Sequence, residues 1–252
     1  MTNTPHAGGY ETLAREFVLS FADDELCVGQ NHSWWIAVGP FLEEDLAFIS
    51  IAQDELGHAR ALYELLEPGS ADTLAYGRAP ADYRSSPLAE RPCHDWSEAL
   101  VRHYLYDVAE QIRWEALVSS SWPELGAIAR RAIVEERFHT GHAVPLMRRL
   151  LSVESSRPRI LGSIDAMAKL GRSLFGAVSG ADELVNDGIV GLALAAQEAL
   201  WRAAVDEIVA PHDIDWALDT PTPRRGAERS GAFAALHHEM VEVLEIDPAA
   251  HW

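Results

Sequence analysis

The sequence predicts an all-α fold in which four long helices form a bundle and additional C-terminal helices follow it. Apolar residues recur at spacings of three and four along successive segments, and no segment alternates as a β-strand does. Glycine and proline pairs separate the segments. The 252 residues suffice for one large domain. We predict a single domain over 1–252, with a core bundle at about 10–151 and a helical extension at about 152–252.

The first two helices are predicted at residues 10 to about 38 and at about 42–66. Gly39-Pro40 breaks the apolar pattern between them, and Pro68-Gly69 ends the second helix. A break this short between two long helices predicts an antiparallel hairpin.

The next two helices are predicted at about 96–119 and from Pro123 to about 151. The segment before them, residues 67–92, is rich in Pro, Gly, Ser and Asp and is predicted to be a long connection. Trp122-Pro123 marks the second turn, and Pro145 predicts a bend in the fourth helix. Two hairpins joined by a crossover are typical of a ferritin-like four-helix bundle.

The C-terminal region has weaker helical patterns, predicted at about 159–178, 184–209 and 231–245. A segment with three prolines, residues 211–226, is predicted to be a loop.

The charge and composition exclude several classes of function. With 39 acidic against 20 basic residues, the formal charge of −19 repels phosphate backbones and anionic lipids, so we predict no nucleic-acid or membrane partner. Residues 1–9 lack a basic stretch followed by an apolar run, and Cys27 and Cys93 are not in a Cys-x-x-Cys spacing. We therefore predict a cytoplasmic protein with reduced core thiols.

Two Glu-x-x-His motifs, Glu55 with His58 and Glu136 with His139, lie in the second and fourth helices. Residues three apart project from one helix face, so each carboxylate and imidazole can bind one metal ion. One such motif alone is common by chance. Two of them, at corresponding places in two hairpins, predict a dinuclear metal site.

The other two helices should each contribute one acid to this site. Residues equally distant from the turn of a hairpin lie at the same height, which selects Glu25 opposite Glu55 and Asp107 opposite Glu136. Glu110, one turn from Asp107, remains an alternative to it.

Six ligands of this kind suit two iron ions, with manganese open at either position, better than zinc. The predicted ligands are Glu25, Glu55, His58, Asp107, Glu136 and His139.

Four further residues adjoin these ligands in the sequence pattern. Asp54 and Glu135 could hydrogen-bond the imidazoles, but we interpret each as a solvated helix residue. His142 and His103 are left open between an accessory role, as ligand or proton relay, and a position behind the ligands or on the surface.

The sequence resembles the oxygenase subunits of the phenylacetyl-CoA epoxidase family. The segments 41–47, 56–60 and 102–107 and the C-terminal end resemble the structural, non-catalytic subunit, in which a Gln stands where this chain has His58. The ligand motifs, at 53–58 and 135–139, instead resemble the catalytic subunit.

This resemblance implies a non-haem diiron monooxygenase that activates O2 and epoxidises or hydroxylates an organic substrate, by analogy an aromatic acyl-CoA. Glu55 and Glu136 would bridge the irons, while Glu25 and Asp107 would be terminal ligands. Electrons would come from a separate reductase, because the sequence has no flavin or iron–sulfur motif. The alternatives are a structural partner of a ferritin-like paralogue and a ferroxidase. Either a homo-oligomer or a hetero-oligomer with that paralogue is expected.

Overall fold

The structure, a computed structural model, describes residues 10–176, 180–212 and 231–247. Within these ranges the regular elements are helices, which confirms the all-α prediction. Three short 3₁₀ turns, at Pro80–Asp82, Arg172–Phe175 and Ala210–His212, accompany the α-helices. The α-helices of the described residues are α1 Tyr10–Ser33, α2 Leu42–Leu66, α3 Ala71–Tyr76, α4 Pro87–Glu90, α5 Trp96–Glu115, α6 Pro123–Ser152, α7 Arg157–Gly171, α8 Ala181–Asn186, α9 Leu194–Val209 and α10 Gly231–Ile246.

The first hairpin consists of α1 and α2. The second helix has the predicted bounds, but α1 ends at Ser33 rather than near residue 38. The chain turns after Ser33, and Ala37 adopts a positive φ of 68° that a helix cannot accommodate. The Asp45 side chain accepts a hydrogen bond from Gly39 N at 2.9 Å, which ties this turn to the start of α2.

The connection between the hairpins contains the short helices α3 and α4, which the low periodicity of residues 67–92 did not predict. Asp23 of α1 anchors the connection. Its carboxylate accepts hydrogen bonds from Arg78 Nη1 at 3.1 Å and Arg84 N at 2.6 Å, and also from the hydroxyl of Tyr63 in α2 at 2.6 Å. Asp23 therefore ties residues 78 and 84 of the connection to the first hairpin, while α3 contacts α2 and α4 contacts α1.

The second hairpin consists of α5 and α6. Asp95 caps α5 by accepting a hydrogen bond from Glu98 N at 3.0 Å. The helix ends at Glu115, four residues before the predicted end, because residues 116–120 form successive i to i+3 turns. Their apolar side chains continue the helical pattern of the sequence although the backbone does not. The fourth helix, α6, continues through Pro145 to Ser152.

The C-terminal helices pack mainly on the α1 and α5 side of the bundle. α7 and α9 contact α5, whereas α8 and α10 contact α1. Trp201 of α9 donates a hydrogen bond to the carbonyl oxygen of Leu105 at 2.9 Å, and a Cβ at Gly171 would lie 2.4 Å from its ring. The helix predicted at 184–209 is interrupted between α8 and α9. Most of the predicted loop at 211–226 lies outside the described residues.

None of the helices in the described part of the chain is both long and apolar enough to cross a membrane. Cys27 is buried, Cys93 is half-buried, and both thiols are free.

Candidate metal centre

The two Glu-x-x-His motifs face each other across antiparallel α2 and α6. Their four side chains are buried, with His58 the most exposed of them at 4%. The bundle thus brings two carboxylates and two imidazoles to one level, away from solvent.

These residues form two overlapping groups, whose ligand atoms lie within 4.8 Å of one another in each group. The first group is Glu25, Glu55 and His58, and the second is Glu55, Glu136 and His139. Glu55 belongs to both. Its Oε2 lies 3.7 Å from His58 Nδ1, and its Oε1 lies 3.7 Å from His139 Nδ1. Glu55 thus presents one oxygen to each imidazole.

The remaining distances in the two groups are similar. His58 Nδ1 lies 3.3 Å from Glu25 Oε2, and His139 Nδ1 lies 3.4 Å from Glu136 Oε1. Glu136 Oε1 also lies 3.7 Å from His58 Nδ1. Each imidazole therefore presents Nδ1 to the interior of the site, where three carboxylates approach that of His58 and two approach that of His139.

The outer ring nitrogens are held by carboxylates of the opposite motif helix. His58 Nε2 lies 2.8 Å from Glu135 Oε2, and His139 Nε2 lies 3.3 Å from Asp54 Oδ2. A proton on Nε2 would leave the Nδ1 lone pair free for a metal ion. The interpretation of Asp54 and Glu135 as solvated helix residues is therefore wrong, because each reaches across the seam between α2 and α6.

The two acids of α5 are both buried but differ in their partners. Glu110 is hydrogen-bonded by Arg113 Nη1 at 2.5 Å, and Arg113 also lies 3.2 Å from Asp24 Oδ2. Asp107 adjoins His103, yet both of its oxygens lack a hydrogen-bond partner. Asp107 lies outside the two compact groups, so its assignment as a ligand, in preference to Glu110, stays a prediction.

Behind Asp107, two histidines and an acid form a chain that leads out between α2 and α6. His103 Nε2 lies 3.0 Å from His142 Nδ1, and His142 Nε2 lies 3.0 Å from Glu44 Oε2. His103 is fully buried, so it is not a surface residue. His142 is half-buried.

Burial and mutual repulsion shift the pKa values of the carboxylates. Burial, with the charges of Glu55 and Glu110, raises the pKa of Glu25 well above its usual range, and burial raises that of Asp107 similarly. Burial also raises the pKa of Glu136, to about 8. For Glu55 the effect of burial is outweighed by the neighbouring Glu25 carboxyl and His58 imidazole, which bring its pKa to about 2.

The imidazoles show the opposite shift. Burial lowers the pKa of a histidine, but hydrogen bonds to Glu135 and Asp54 outweigh it and raise the pKa of His58 to about 10 and of His139 to about 12. Without a metal ion, protons bound to these side chains partly neutralise the charge of the site.

The donor atoms fit a pair of divalent cations. Buried polar atoms without a partner are costly, and native proteins rarely leave several together. The site concentrates such atoms: Glu25 Oε1, both carboxylate oxygens of Glu55, Asp107 and Glu136, and Nδ1 of His139. Two cations bound among them would satisfy these oxygens and compensate the charge of four carboxylates.

Comparison with known proteins decides the family. The family model described as phenylacetic acid catabolic protein matches residues 2–252. The chain belongs to this family. A relative, one of the subunits of 1,2-phenylacetyl-CoA epoxidase from Escherichia coli strain K12, is 28% identical over 228 residues, which cover 88% of this chain and 89% of the relative. The family resemblance predicted from the ligand motifs and flanking segments is confirmed.

This member of the phenylacetic acid catabolic protein family has further buried polar residues that the sequence reasoning missed. Arg113 is the main one, and its spacing of three from Glu110 was the available signal. Tyr106 and Trp114 are also fully buried, with the hydroxyl of one and the indole N–H of the other lacking a partner. The Trp114 ring lies 5.4 Å from that of His58. These residues carry no pattern that marks them as neighbours of a metal site.

Proposed function

We propose that this protein is a diiron monooxygenase that activates O2 and epoxidises or hydroxylates an organic substrate. The observation that carries the proposal is Glu55, which presents one oxygen to each of two Glu and His groups. The family membership and the unpartnered buried oxygens support it.

An iron pair, when bound, supplies the redox chemistry with which O2, two electrons and two protons give one oxygenated product and one water. The protein's part is to bind, orient and exclude water. Glu25, Glu55, His58, Asp107, Glu136 and His139 would hold the metals. Asp54 and Glu135 would fix the two imidazoles with Nδ1 directed inward. Manganese at either position remains compatible with this donor set.

The substrate and partners are proposed by analogy with the relative. Its name identifies phenylacetyl-CoA as the molecule epoxidised, so we propose an aromatic acyl-CoA as the substrate class here. Electrons would come from a separate reductase, since the chain has no flavin or iron–sulfur motif. The name also places the relative in an enzyme of several subunits, which supports a hetero-oligomer with a ferritin-like paralogue.

A second candidate function is that of a structural subunit whose metal site does not turn over substrate. The match to a protein that is one of several subunits of its enzyme, over nearly its whole length, favours it. The complete set of buried carboxylates and imidazoles favours the oxygenase.

Iron reconstitution tests the oxygenase proposal. Purified protein incubated with Fe(II) without oxygen should bind about two iron ions per chain, and O2 should then change the iron absorption spectrum. The control is Glu115→Ala, an exposed acid on α5, which should bind the same amount. Fewer than about 0.2 iron ions per chain would overturn the proposal. Two bound irons that do not react with O2 would favour the structural subunit.

A further inference from the structure

A cleft of about 310 Å³ lies outside the metal centre, on the seam between α2 and α6. The helices that follow α6 pack mainly on α1 and α5, away from this seam. The walls of the cleft combine small residues with two carboxylates and one imidazole: Asp54, Gly57, His58 and Ala61 of α2, and Ala127 and Glu135 of α6. The cleft therefore brings solvent to one of the predicted metal ligands.

The imidazole of His58 forms the floor of the cleft. Of the six predicted ligands, all of them in the described part of the chain, His58 alone keeps solvent exposure, at 4%, and the other five have none. Its Nε2 lies 2.8 Å from Glu135 Oε2 on the side of the cleft, and its Nδ1 lies 3.7 Å from Glu55 Oε2 on the side of the centre. The ring of His58 therefore separates the cleft from the centre.

The entrance of the cleft is acidic. The side chains of Asp54 and Glu135 are 30% and 25% exposed, so a cation in the cleft meets these two carboxylates first. Arg131 also lines the cleft, but its side chain is 82% exposed and its Nε lies 3.3 Å from Glu135 Oε1.

The side chains behind the ring also favour a cation. Both carboxylate oxygens of Glu55 and of Glu136 are buried and lack a hydrogen-bond partner. Carboxylate oxygens are the ligands that hard divalent cations prefer, whereas they repel an anion. The path from Asp54 and Glu135 to Glu55 thus has carboxylates at both ends, with only His58 between them. Such a path suits a small divalent cation and opposes a substrate that carries phosphates.

We propose that this cleft is the route by which divalent metal ions enter the centre. Asp54 and Glu135 are the first carboxylates that an ion meets, and His58 is the side chain that moves aside to admit it and then binds it. Glu135 and Asp54 would thus act in metal entry as well as in holding the imidazoles. The inference rests on the metal centre of the proposed function but not on its oxygen chemistry, so it is tested with Co(II) in the absence of O2.

Gly57 is the position at which the cleft can be obstructed without removing a ligand. It is exposed, and a Cβ added there would meet no atom within 4 Å. Leucine is a better helix former than glycine, so Gly57→Leu should not destabilise α2. An obstructed passage slows the entry and the exit of an ion equally, because it leaves the bound and the free states unchanged. Loss of a ligand would instead change the equilibrium affinity.

Stopped-flow mixing of metal-free protein with excess Co(II), followed by the visible absorption of the bound ion, measures entry. Gly57→Leu should lower the rate constant of loading at least about tenfold, because the obstruction raises the barrier to passage. The Co(II) bound at equilibrium and its dissociation constant should equal those of wild type, and release into excess chelator should slow by the same factor. The matched control is Gly162→Leu on α7, another exposed glycine with open space at its Cβ, which should load at the wild-type rate.

Ala127, an exposed residue of the cleft, tests the effect of charge at the entrance. At low ionic strength Ala127→Glu should load about threefold faster than wild type and Ala127→Lys about threefold more slowly, because a charge here changes the local concentration of a divalent cation. Salt at about 0.5 M should remove both differences, since it screens the added charge.

Loading of Gly57→Leu at the wild-type rate would overturn the inference, as would loading of Ala127→Lys as fast as Ala127→Glu at low salt. A weaker dissociation constant in Gly57→Leu would also overturn it, because the side chain would then act on the ligands rather than on the passage. Failure of the wild-type chain to bind Co(II) would instead overturn the metal centre itself, so this failure is distinguished from failure of the entry route.

Discussion

The two halves of the candidate metal centre are built from the same motif but differ in what the carboxylate helix contributes. In the first half, Glu25 of α1 lies 3.3 Å from the imidazole of His58. In the second half, Asp107 of α5 lies outside the compact group and adjoins His103 instead. The spacing in the sequence treats Glu25 and Asp107 as equivalent, whereas the structure does not.

Glu25 and Asp107 differ in the side chains that surround them. Glu25 is buried beside Glu55 and Glu110, and its Oε2 contacts His58 Nδ1. Asp107 adjoins His103, behind which His142 and Glu44 follow, but neither of its oxygens has a hydrogen-bond partner. Each half therefore has three donor groups assembled without metal, with Glu55 counted in both. The first half already includes its carboxylate from α1, whereas the second gains a carboxylate from α5 only if Asp107 turns toward a bound ion.

Removing the shared carboxylate should have the largest effect, because it damages both halves. Glu55→Ala is expected to lower metal binding from about two ions per chain to almost none, since each group keeps only two donor residues. Metal analysis after reconstitution and desalting measures this. Glu43→Ala, an exposed acid on the same helix and outside both groups, is the control. Retention of two ions by Glu55→Ala would show that the halves do not share this residue.

Substitutions of the two terminal carboxylates, Glu25 and Asp107, should affect metal binding in the two halves differently. Glu25→Ala removes one of three donors from the first group and is expected to leave about one tightly bound ion per chain. Asp107→Ala should keep both ions but weaken the second about tenfold. Titration with Co(II), followed by its visible absorption, resolves the two steps. Glu110→Gln is the comparison on α5, and a greater loss in this variant than in Asp107→Ala would make Glu110 the ligand.

Much of this centre follows from regular geometry. The constant rise of a helix and the equal heights of residues in a hairpin bring Glu25 level with Glu55, and the family follows from the motifs. The preference between Asp107 and Glu110 does not, because it depends on Arg113, a buried partner that contacts Glu110 and another helix. The roles of Asp54 and Glu135 were considered from the sequence but wrongly set aside, for a related reason. Each of them contacts an imidazole on the other motif helix. The position of a residue within its own helix does not reveal such a contact, or how exposed the side chain is.

Metal affinity should rise with pH. The pKa values of about 10 for His58 and about 12 for His139 mean that both imidazoles carry protons at neutral pH when no metal is bound. A metal ion must displace these protons. Each displaced proton therefore makes the apparent metal affinity about tenfold stronger for each unit by which the pH rises. Competition with a chelator between pH 6 and 8 measures the slope, after correction for the chelator's own protonation. An affinity independent of pH would show that the two imidazoles are not protonated in the metal-free protein.

Substitutions of Glu135 and Asp54, the carboxylates behind the imidazoles, should have the smallest effect on metal affinity. Each should weaken binding in one half only. Glu135→Gln and Asp54→Asn keep the shape of the side chain but remove the charge that holds the Nε2 proton of His58 or His139. Each is expected to weaken binding about tenfold, the lower end for such outer partners. The loss should be larger for Glu135→Gln, because its contact of 2.8 Å is shorter than the 3.3 Å of Asp54. Arg131→Gln, which removes the other partner of Glu135, is the control and should leave metal affinity within about twofold. The same two-step Co(II) titration assigns each loss to a half. If either substitution weakens both steps equally, the imidazoles are coupled through Glu55 rather than held independently.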